Sequence, residues 1–176
     1  GDLGLGGVTI FIDEDGNGEF DEGEKFTTTA GDGSWSFTNL NQDYASLKVY
    51  DVVRDGYEQT LGQGGYTIMG KSGTDQSGLN FANFELFDIS GTKYTDSNGD
   101  GDTTGDSGLG GVTIFIDIND NGVYDDGVDE ATTTAGDGTW SFTDLDASYA
   151  GLDVYEVLPS GYVQTLAQAG YTITVS

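Results

Sequence analysis

Apolar and polar side chains alternate along short segments of this chain, and clusters of glycine, aspartate and asparagine separate the segments. Trp35 and Phe37, and the set Leu47, Val49, Asp51 and Val53, alternate with the period of two that a half-buried strand has. No segment longer than a turn has a helical period, so the pattern predicts an all-β fold of antiparallel β-sandwiches. The predicted strands are 8–12, 34–40, 47–53, 66–68 and 81–87.

The strand pattern is present twice. The repeated segments lie 104 or 105 positions apart: 4–13 with 108–117, 27–33 with 132–138, and 65–68 with 170–173. The change of offset places one inserted residue near 128–131. Self-similarity of this kind indicates a tandem duplication of one module. We therefore predict two domains, 1–88 and 89–176. No Pro-rich or Gly/Ser-rich linker separates them, which predicts a short and stiff joint.

Eight aromatic residues are assigned to the core or to sheet edges, because strand aromatics usually pack there. An aromatic platform for a ligand is the alternative. The residues concerned are Trp35, Phe37, Tyr50 and Tyr57 and their repeat counterparts Trp140, Phe142, Tyr155 and Tyr162.

The most specific motif in the chain is the acidic stretch 13–24, the first loop. It fits the calcium-loop pattern D-x-[DN]-x-[DN]-G-x5-E at every specified position. Ca²⁺ takes about six to eight hard oxygens, which a twelve-residue loop can supply by curling around the ion. An acidic surface turn is the alternative, since Asp, Asn and Gly favour turns. The predicted ligands are Asp13, Asp15, Asn17, Glu19 through its carbonyl, Asp21 and Glu24.

Two related loops follow, the second at 96–107 and the third at 117–130. The second lacks the closing Glu, and Asp106 is its nearest substitute. The third has Val128 where that Glu belongs, so Asp129 or Glu130 is predicted to close the shell. Strands rather than helices are predicted to lead into the first and third loops, which argues against an EF-hand sensor. The predicted ligands are Asp96, Asn98, Asp100, Asp102 and Asp106, then Asp117, Asn119, Asn121, Val123, Asp125, Asp129 and Glu130.

Composition supports metal loops over a uniformly acidic surface. Lys plus Arg number 5 and Asp plus Glu 31, a formal net charge of −26. Seventeen of the acidic residues fall in the three loops: seven in 13–24, four in 96–106 and six in 117–130. Such a charge argues against nucleic-acid partners and against insertion into anionic membranes.

Cysteine and histidine are both absent, which excludes disulfides, zinc, haem and iron–sulfur sites and His-based triads. No apolar run approaches the roughly 20 residues of a membrane span. Among the remaining residues no catalytic constellation is legible, so an enzyme is not predicted.

Several of these segments together carry a family likeness. The chain combines 89–92 (ISGT), the second loop, 108–113 (GLGGVT), 138–142 (GTWSF) and 81–84 (FANF). In this combination it resembles the SdrD B-like domains of bacterial surface proteins, relatives of the Cna B-type (prealbumin-like) modules. The resemblance implies tandem seven-stranded Ig-like sandwiches, calcium in the acidic loops, and an extracellular or cell-surface location.

By the family pattern both domains are incomplete. Residues 1–72 lack an opening strand and loop, whose counterpart is 89–104, and Asp2 is then a remnant of that loop. Residues 105–176 lack a closing strand, whose counterpart is 81–87. We expect the missing strands to come from neighbouring copies by strand addition.

Some Cna B-type modules also form a Lys–Asn isopeptide bond beside an acidic residue. Lys93 and Glu156 are placed for such a site, but no asparagine follows residue 121. A bond within this chain is therefore not expected, and Lys93 is interpreted as a solvated charge on an edge strand.

The function these observations favour is a calcium-stiffened structural repeat of an adhesin stalk or surface filament. Its expected partners are neighbouring copies, head to tail, and a host or biofilm surface ligand. The alternative is a calcium-dependent carbohydrate- or protein-binding module, because sandwich loops also contact ligands. An exposed row of aromatic residues, or calcium ions with open coordination positions, would favour that alternative.

Overall fold

Short antiparallel strands form almost all the regular structure of this protein. A computed structural model describes residues 3–175, and the chain divides into two compact units, unit 1 at Gly1–Glu85 and unit 2 at Leu86–Ser176. The predicted boundary at 88/89 lies three residues further on. The strands of unit 1 are β1 Thr9–Asp13, β2 Lys25–Thr28, β3 Lys48–Asp51, β4 Tyr57–Leu61, β5 Tyr66–Thr67 and β6 Ala82–Glu85.

Unit 2 repeats much of this order. Single 3₁₀ turns, Gln42–Tyr44 and Ala147–Tyr149, precede the third strand of each unit's main sheet, and Asn41 and Asp146 cap them. The strands of unit 2 are β7 Phe87–Thr92, β8 Tyr94–Thr95, β9 Ser107–Gly108, β10 Thr113–Asp117, β11 Glu130–Thr133, β12 Thr139–Leu145, β13 Asp153–Glu156 and β14 Tyr171–Thr172.

Each unit is built on one four-stranded sheet, in the order β2-β1-β3-β5 in unit 1 and β11-β10-β13-β14 in unit 2. Two-stranded sheets accompany them: β4 with β6 in unit 1, and β12 with β7 and β8 with β9 in unit 2. Every pairing is antiparallel. The predicted all-β, antiparallel class is therefore confirmed.

The interior strands β1 and β10 share the sequence TIFID and the same burial pattern. Both have a neighbour on each side, so their backbone groups are paired. The isoleucines of each strand enter the core, whereas Phe11 and Phe115 are buried on the opposite face. Full burial of such a side chain stabilises the fold by about 1.5–3 kcal/mol. The buried core residues are Val8, Ile10, Ile12 and Val49 in unit 1, and Val112, Ile114, Ile116, Phe142, Leu145, Val154 and Ile173 in unit 2.

The structure corrects several predictions about strands. Residues 34–40 form no strand, although Trp35 and Phe37 still pack against the core of unit 1. Their counterpart in unit 2, β12, is a strand because β7 pairs with it. A strand needs such a partner, and the described part of unit 1 contains no equivalent of β7.

Two further predictions change. The predicted strand 81–87 ends at Glu85, and a new strand starts at Phe87. Tyr162, assigned to packing, is 43% exposed. Asp2, interpreted as a loop remnant, lies outside the described residues.

Candidate metal centres

The first and third loops begin where the interior strands of the two main sheets end. Asp13 is the last residue of β1 and Asp117 the last of β10, so the sheets hold both carboxylates almost buried, at 4% and 2% exposure. Asp13 accepts hydrogen bonds from the Gly16 N–H at Oδ1 (2.7 Å) and the Gly18 N–H at Oδ2 (3.1 Å). The loop therefore curls back over the first carboxylate.

The third loop makes the same turn. The Asn121 N–H donates to Asp117 Oδ1 (3.2 Å) and the Gly122 N–H to Oδ2 (2.6 Å). Gly122 has a φ of 72°, and its counterpart Gly18 a φ of 81°. Glycine adopts this left-handed conformation without strain, which explains its place at the sixth loop position.

The second loop follows β8 and has the same geometry at a more exposed carboxylate. Asp96 accepts from the N–H groups of Gly99 (2.6 Å) and Asp100 (3.2 Å) at Oδ1, and of Gly101 (2.9 Å) at Oδ2. The Gly101 bond, and then a side-chain hydrogen bond with Thr165, lower the pKa of Asp96 below its ordinary value, and the other two backbone bonds add to this. All three loops thus present their first acid to the loop interior in one arrangement.

A second carboxylate closes each loop by accepting a hydrogen bond from the N–H of the loop's second residue. Glu24 closes the first loop, with Oε1 accepting from Glu14 N (2.8 Å) and Oε2 from Asp21 N (3.0 Å). In the second loop Asp106 Oδ1 accepts from Ser97 N (3.1 Å).

In the third loop Asp129 occupies this closing position. Its Oδ1 accepts from Ile118 N (3.0 Å) and its Oδ2 from Asp125 N (2.8 Å), which matches both bonds of Glu24. Glu130 instead starts β11 as an exposed residue opposite Ile116. Between the two predicted closing residues, the geometry selects Asp129.

Asparagine side chains link the middle of each loop. Asn17 donates from Nδ2 to Asp21 Oδ2 (2.6 Å), and its Oδ1 accepts from Glu19 N (2.6 Å). Asn121 makes the equivalent bonds to Asp125 Oδ2 (2.7 Å) and from Val123 N (2.7 Å). Corresponding residues of the two loops are therefore held in the same way.

Asp125 has a second amide partner. Asn119 Nδ2 donates to its Oδ2 at 2.9 Å. The bonds from Asn119 and then Asn121 lower the pKa of Asp125 below its ordinary value.

The second loop uses its short side chains differently. Asn98 donates from Nδ2 to Asp100 Oδ2 (2.7 Å), and Asp102 N donates to Asp100 Oδ1 (2.8 Å). The carboxylate of Asp102 accepts from Thr104 N at 2.7 Å, and the side chain and backbone of Thr104 lower its pKa. The carboxylate of Asp102 is thus held by the backbone of the residues that follow it in the loop.

One group of acidic side chains in residues 3–175 is close enough to share a metal ion. Single carboxylate oxygens of Asp13, Asp15 and Glu24 all lie within 4.8 Å of one another. The second and third loops carry Asn98 and Asn119 where the first has Asp15, so their carboxylates are fewer. Carboxylate, carboxamide and carbonyl oxygens suit hard cations such as Ca²⁺ or Mg²⁺. The residues of the first loop therefore fit a divalent ion.

Comparison of the chain with family models, curated proteins and solved structures returns no match. Within the described residues, no helix is long and apolar enough to cross a membrane.

Aromatic anchors under two of the loops were not among the residues predicted for the sites. Phe20 packs on Phe11 with ring centroids 5.4 Å apart, and Tyr124 packs on Phe115 at 5.5 Å. Both anchors stand at the eighth loop position, and both strand partners are 2% exposed. The sequence signal that could have revealed them is that both loops carry an aromatic residue at the same position. These contacts tie the loops to the outer faces of the main sheets.

Lys93 is not the solvated edge charge that was predicted. Its Nζ lies 2.8 Å from Glu156 Oε2, and the two side chains are 19% and 8% exposed. Glu156 stands on β13 opposite Ile114, so the pair lies beside the core of unit 2. Burial of an acid here requires a partner charge, which Lys93 supplies.

Proposed function

We propose that this chain is a calcium-stiffened structural repeat of an extracellular stalk or surface filament. The observation that carries the proposal is the common geometry of the three loops. In each, a first carboxylate is held by the N–H of the sixth-position glycine, and a closing carboxylate is held by the N–H of the second residue. Both acids of each loop are thus held by the loop's own backbone, and in the first loop they lie close enough to share an ion with Asp15.

Electrostatics supplies the mechanism. Seven acidic residues lie within 13–24, so their mutual repulsion opposes closure of the loop. A bound Ca²⁺ would replace this repulsion with attraction. At a Kd near 10⁻⁴ M, which is typical of extracellular modules, about 1 mM calcium stabilises the folded state by roughly 1.4 kcal/mol per site.

Over three sites this amounts to about 4 kcal/mol, a large share of the usual 5–15 kcal/mol of a domain. At the first and third loops the stabilisation acts where β1 and β10 leave their sheets, and at the second it acts after β8, so it resists local opening of each unit. A stalk or filament made of such units would stay firm in calcium-rich surroundings and soften without the ion. Neighbouring copies of the repeat are the partners that this role requires.

The direct test compares the protein in 1 mM CaCl₂ and in EDTA. We expect EDTA to lower the melting temperature and to increase the radius of gyration measured by X-ray scattering. Calorimetric titration of the chelated protein gives the number of sites. Asp75→Asn is the control variant, because Asp75 is exposed and lies outside the loops.

Equal melting temperatures and equal radii in the two solutions would refute the calcium role. Magnesium separates calcium preference from charge screening, since Mg²⁺ demands near-octahedral geometry and dehydrates reluctantly. Equal stabilisation by 1 mM MgCl₂ would count against a calcium-specific brace.

A further inference from the structure

Two buried side-chain oxygens in the described residues have no hydrogen-bond partner: Asn83 Oδ1 in unit 1 and Glu156 Oε1 in unit 2. Both lie at the same acidic position of the repeat: Asn83 contacts Asp51, and Glu156 is the counterpart of Asp51. Asp51 faces Ile10 across the main sheet of unit 1, and Glu156 faces the counterpart Ile114 in unit 2. Burial of an unpaired polar atom is costly, so each oxygen points to a missing partner.

In unit 1 the buried acid, Asp51, has amide partners on both of its oxygens. Strand β6 pairs with β4, which places Asn83 opposite Gln59. Asn83 Nδ2 donates to Asp51 Oδ2 at 2.8 Å, and Gln59 Nε2 donates to Asp51 Oδ1 at 2.5 Å. The acid of unit 1 is therefore satisfied by amides, while the oxygen of Asn83 lacks a donor.

In unit 2 the buried acid, Glu156, has a partner on only one of its oxygens. Lys93 occupies one oxygen of Glu156, and the other oxygen has no donor. Residues 162–166, the counterpart of β4, form no ladder in the described structure, and no strand like β6 is present in the described part of unit 2. Gln164, the counterpart of Gln59, donates instead to Ala167 O at 2.9 Å.

A cleft of about 480 Å³ opens where the counterpart of β6 would lie. In unit 1 the corresponding space holds Phe81, whose ring lies 5.9 Å from Trp35 and 5.1 Å from Tyr66. The counterparts of these two rings, Trp140 and Tyr171, line the cleft of unit 2. Tyr171 is 58% exposed.

We propose that this cleft is a docking groove for an extended segment of the β6 type, with an asparagine and an aromatic residue two positions before it. Its asparagine would donate from Nδ2 to Glu156 Oε1 and accept from Lys93 Nζ at Oδ1. The aromatic residue two positions before that asparagine would pack on Trp140 and Tyr171, as Phe81 packs on Trp35 and Tyr66. The backbone of 162–166 would gain the ladder that β4 has in unit 1.

The polar pair selects the chemistry of the occupant. An incoming carboxylate would be repelled by Glu156, and an incoming cation by Lys93. A neutral carboxamide carries an NH2 group that can donate to Glu156 Oε1 and an oxygen that can accept from Lys93 Nζ. The proposal rests on the repeat part of the proposed function and does not require calcium.

The experiment uses the full chain and a peptide of residues 79–87 (LNFANFELF) as the probe. We expect one peptide to bind per chain by calorimetry. The Asn83→Leu peptide keeps size and loses both hydrogen bonds, so its affinity should fall about tenfold or more. Amide shifts should change at 89–94 and 162–166 but not at 57–61, where β6 already lies.

Glu156→Gln in the protein is the matched change on the other side. The variant turns one of the two acceptor oxygens into an NH2 donor, so either Lys93 or the peptide's Nδ2–H faces a donor, and affinity for the parent peptide should again fall about tenfold. Circular dichroism checks that the variant folds, and if it does not, the peptide pair decides. Glu130→Gln, on β11, is the control and should bind normally.

Failure of the parent peptide to bind, or equal affinity of the Asn83→Leu peptide, would overturn the groove. The second result would reveal only an adventitious apolar contact. Repetition in EDTA separates the two proposals. Peptide binding without a calcium effect on melting refutes the calcium brace alone, and the reverse refutes the groove alone.

Discussion

Replacing Asp129 by asparagine tests whether the closing carboxylate of the third loop belongs to a calcium shell. Asp129 receives the N–H groups of Ile118 and Asp125, in the way Glu24 receives those of Glu14 and Asp21. The variant keeps the size of the side chain and one acceptor oxygen. It removes one negative charge and the capacity for bidentate coordination, which is how the closing acid of such loops binds calcium.

The magnitude follows from linkage. With a Kd near 10⁻⁴ M, the third site contributes about 1.4 kcal/mol in 1 mM calcium, and a tenfold weaker site contributes about 0.4 kcal/mol. The difference of about 1 kcal/mol corresponds to roughly 4–8 °C in the melting temperature of a domain of 60–100 residues. The calcium-induced rise in melting temperature of unit 2 should therefore shrink by that amount.

The assay is thermal unfolding followed by tryptophan fluorescence, in calcium and in EDTA. Trp35 lies in unit 1 and Trp140 in unit 2, so a Trp35→Phe background reports unit 2 alone. Asp129→Asn also weakens two hydrogen bonds that exist without metal. Only the difference between the two solutions measures the calcium term.

Glu130→Gln removes the same charge one residue further on, at an exposed position of β11. Its calcium-induced rise should match that of the unmodified protein. Equal rises in the Asp129 variant and the parent, or an equal loss in the Glu130 variant, would refute the assignment of Asp129.

Other substitutions test the supports of the loops and the cores. Asp117→Ala should remove most of the third site's calcium response in the same assay. Phe20→Ala should loosen the first loop and lower calcium affinity in calorimetry, because the ring anchors the loop to its sheet. Thr134→Val should cost about 1–3 kcal/mol in urea unfolding, since its Oγ1 accepts from Val112 N (2.9 Å) inside the core. Burial raises the pKa of Asp51 above its ordinary value of 3.8. Relative to Asp51→Asn, the parent should therefore lose stability in urea unfolding as pH rises from that ordinary value through the raised pKa.

Each of these has a contrary outcome. Thr133→Val, at an exposed position of β11, is the control for the buried threonine, and an equal loss in both would show that the hydroxyl bond is unimportant. A calcium affinity unchanged by the loss of the Phe20 ring would refute its anchoring role. The sign for Asp51 follows because its charged form is the one disfavoured by folding. If the parent instead gained stability relative to Asp51→Asn as pH rises, this sign would be wrong.

The sequence alone determined the fold class and the places of the loops. Period-two alternation, many glycines and the TIFID segments predict antiparallel strands, and those segments become the interior strands of both main sheets. The order of acids, asparagines and glycine in 13–24 predicts which groups gather, because a twelve-residue loop brings its own members together. Local spacing carries this information, and Asp13, Asp15 and Glu24 meet as expected.

Features that depend on partners distant in the chain could not be predicted from local spacing. Residues 34–40 and β12 share their pattern, yet only β12 becomes a strand, because β7 lies beside it. Asp129 rather than Glu130 closes the third loop, because β11 takes Glu130 into its register with β10. Lys93 and Glu156 meet although 63 positions separate them (156 − 93). Alternation defines which faces are apolar, whereas pairing and charge contacts depend on what the fold brings alongside.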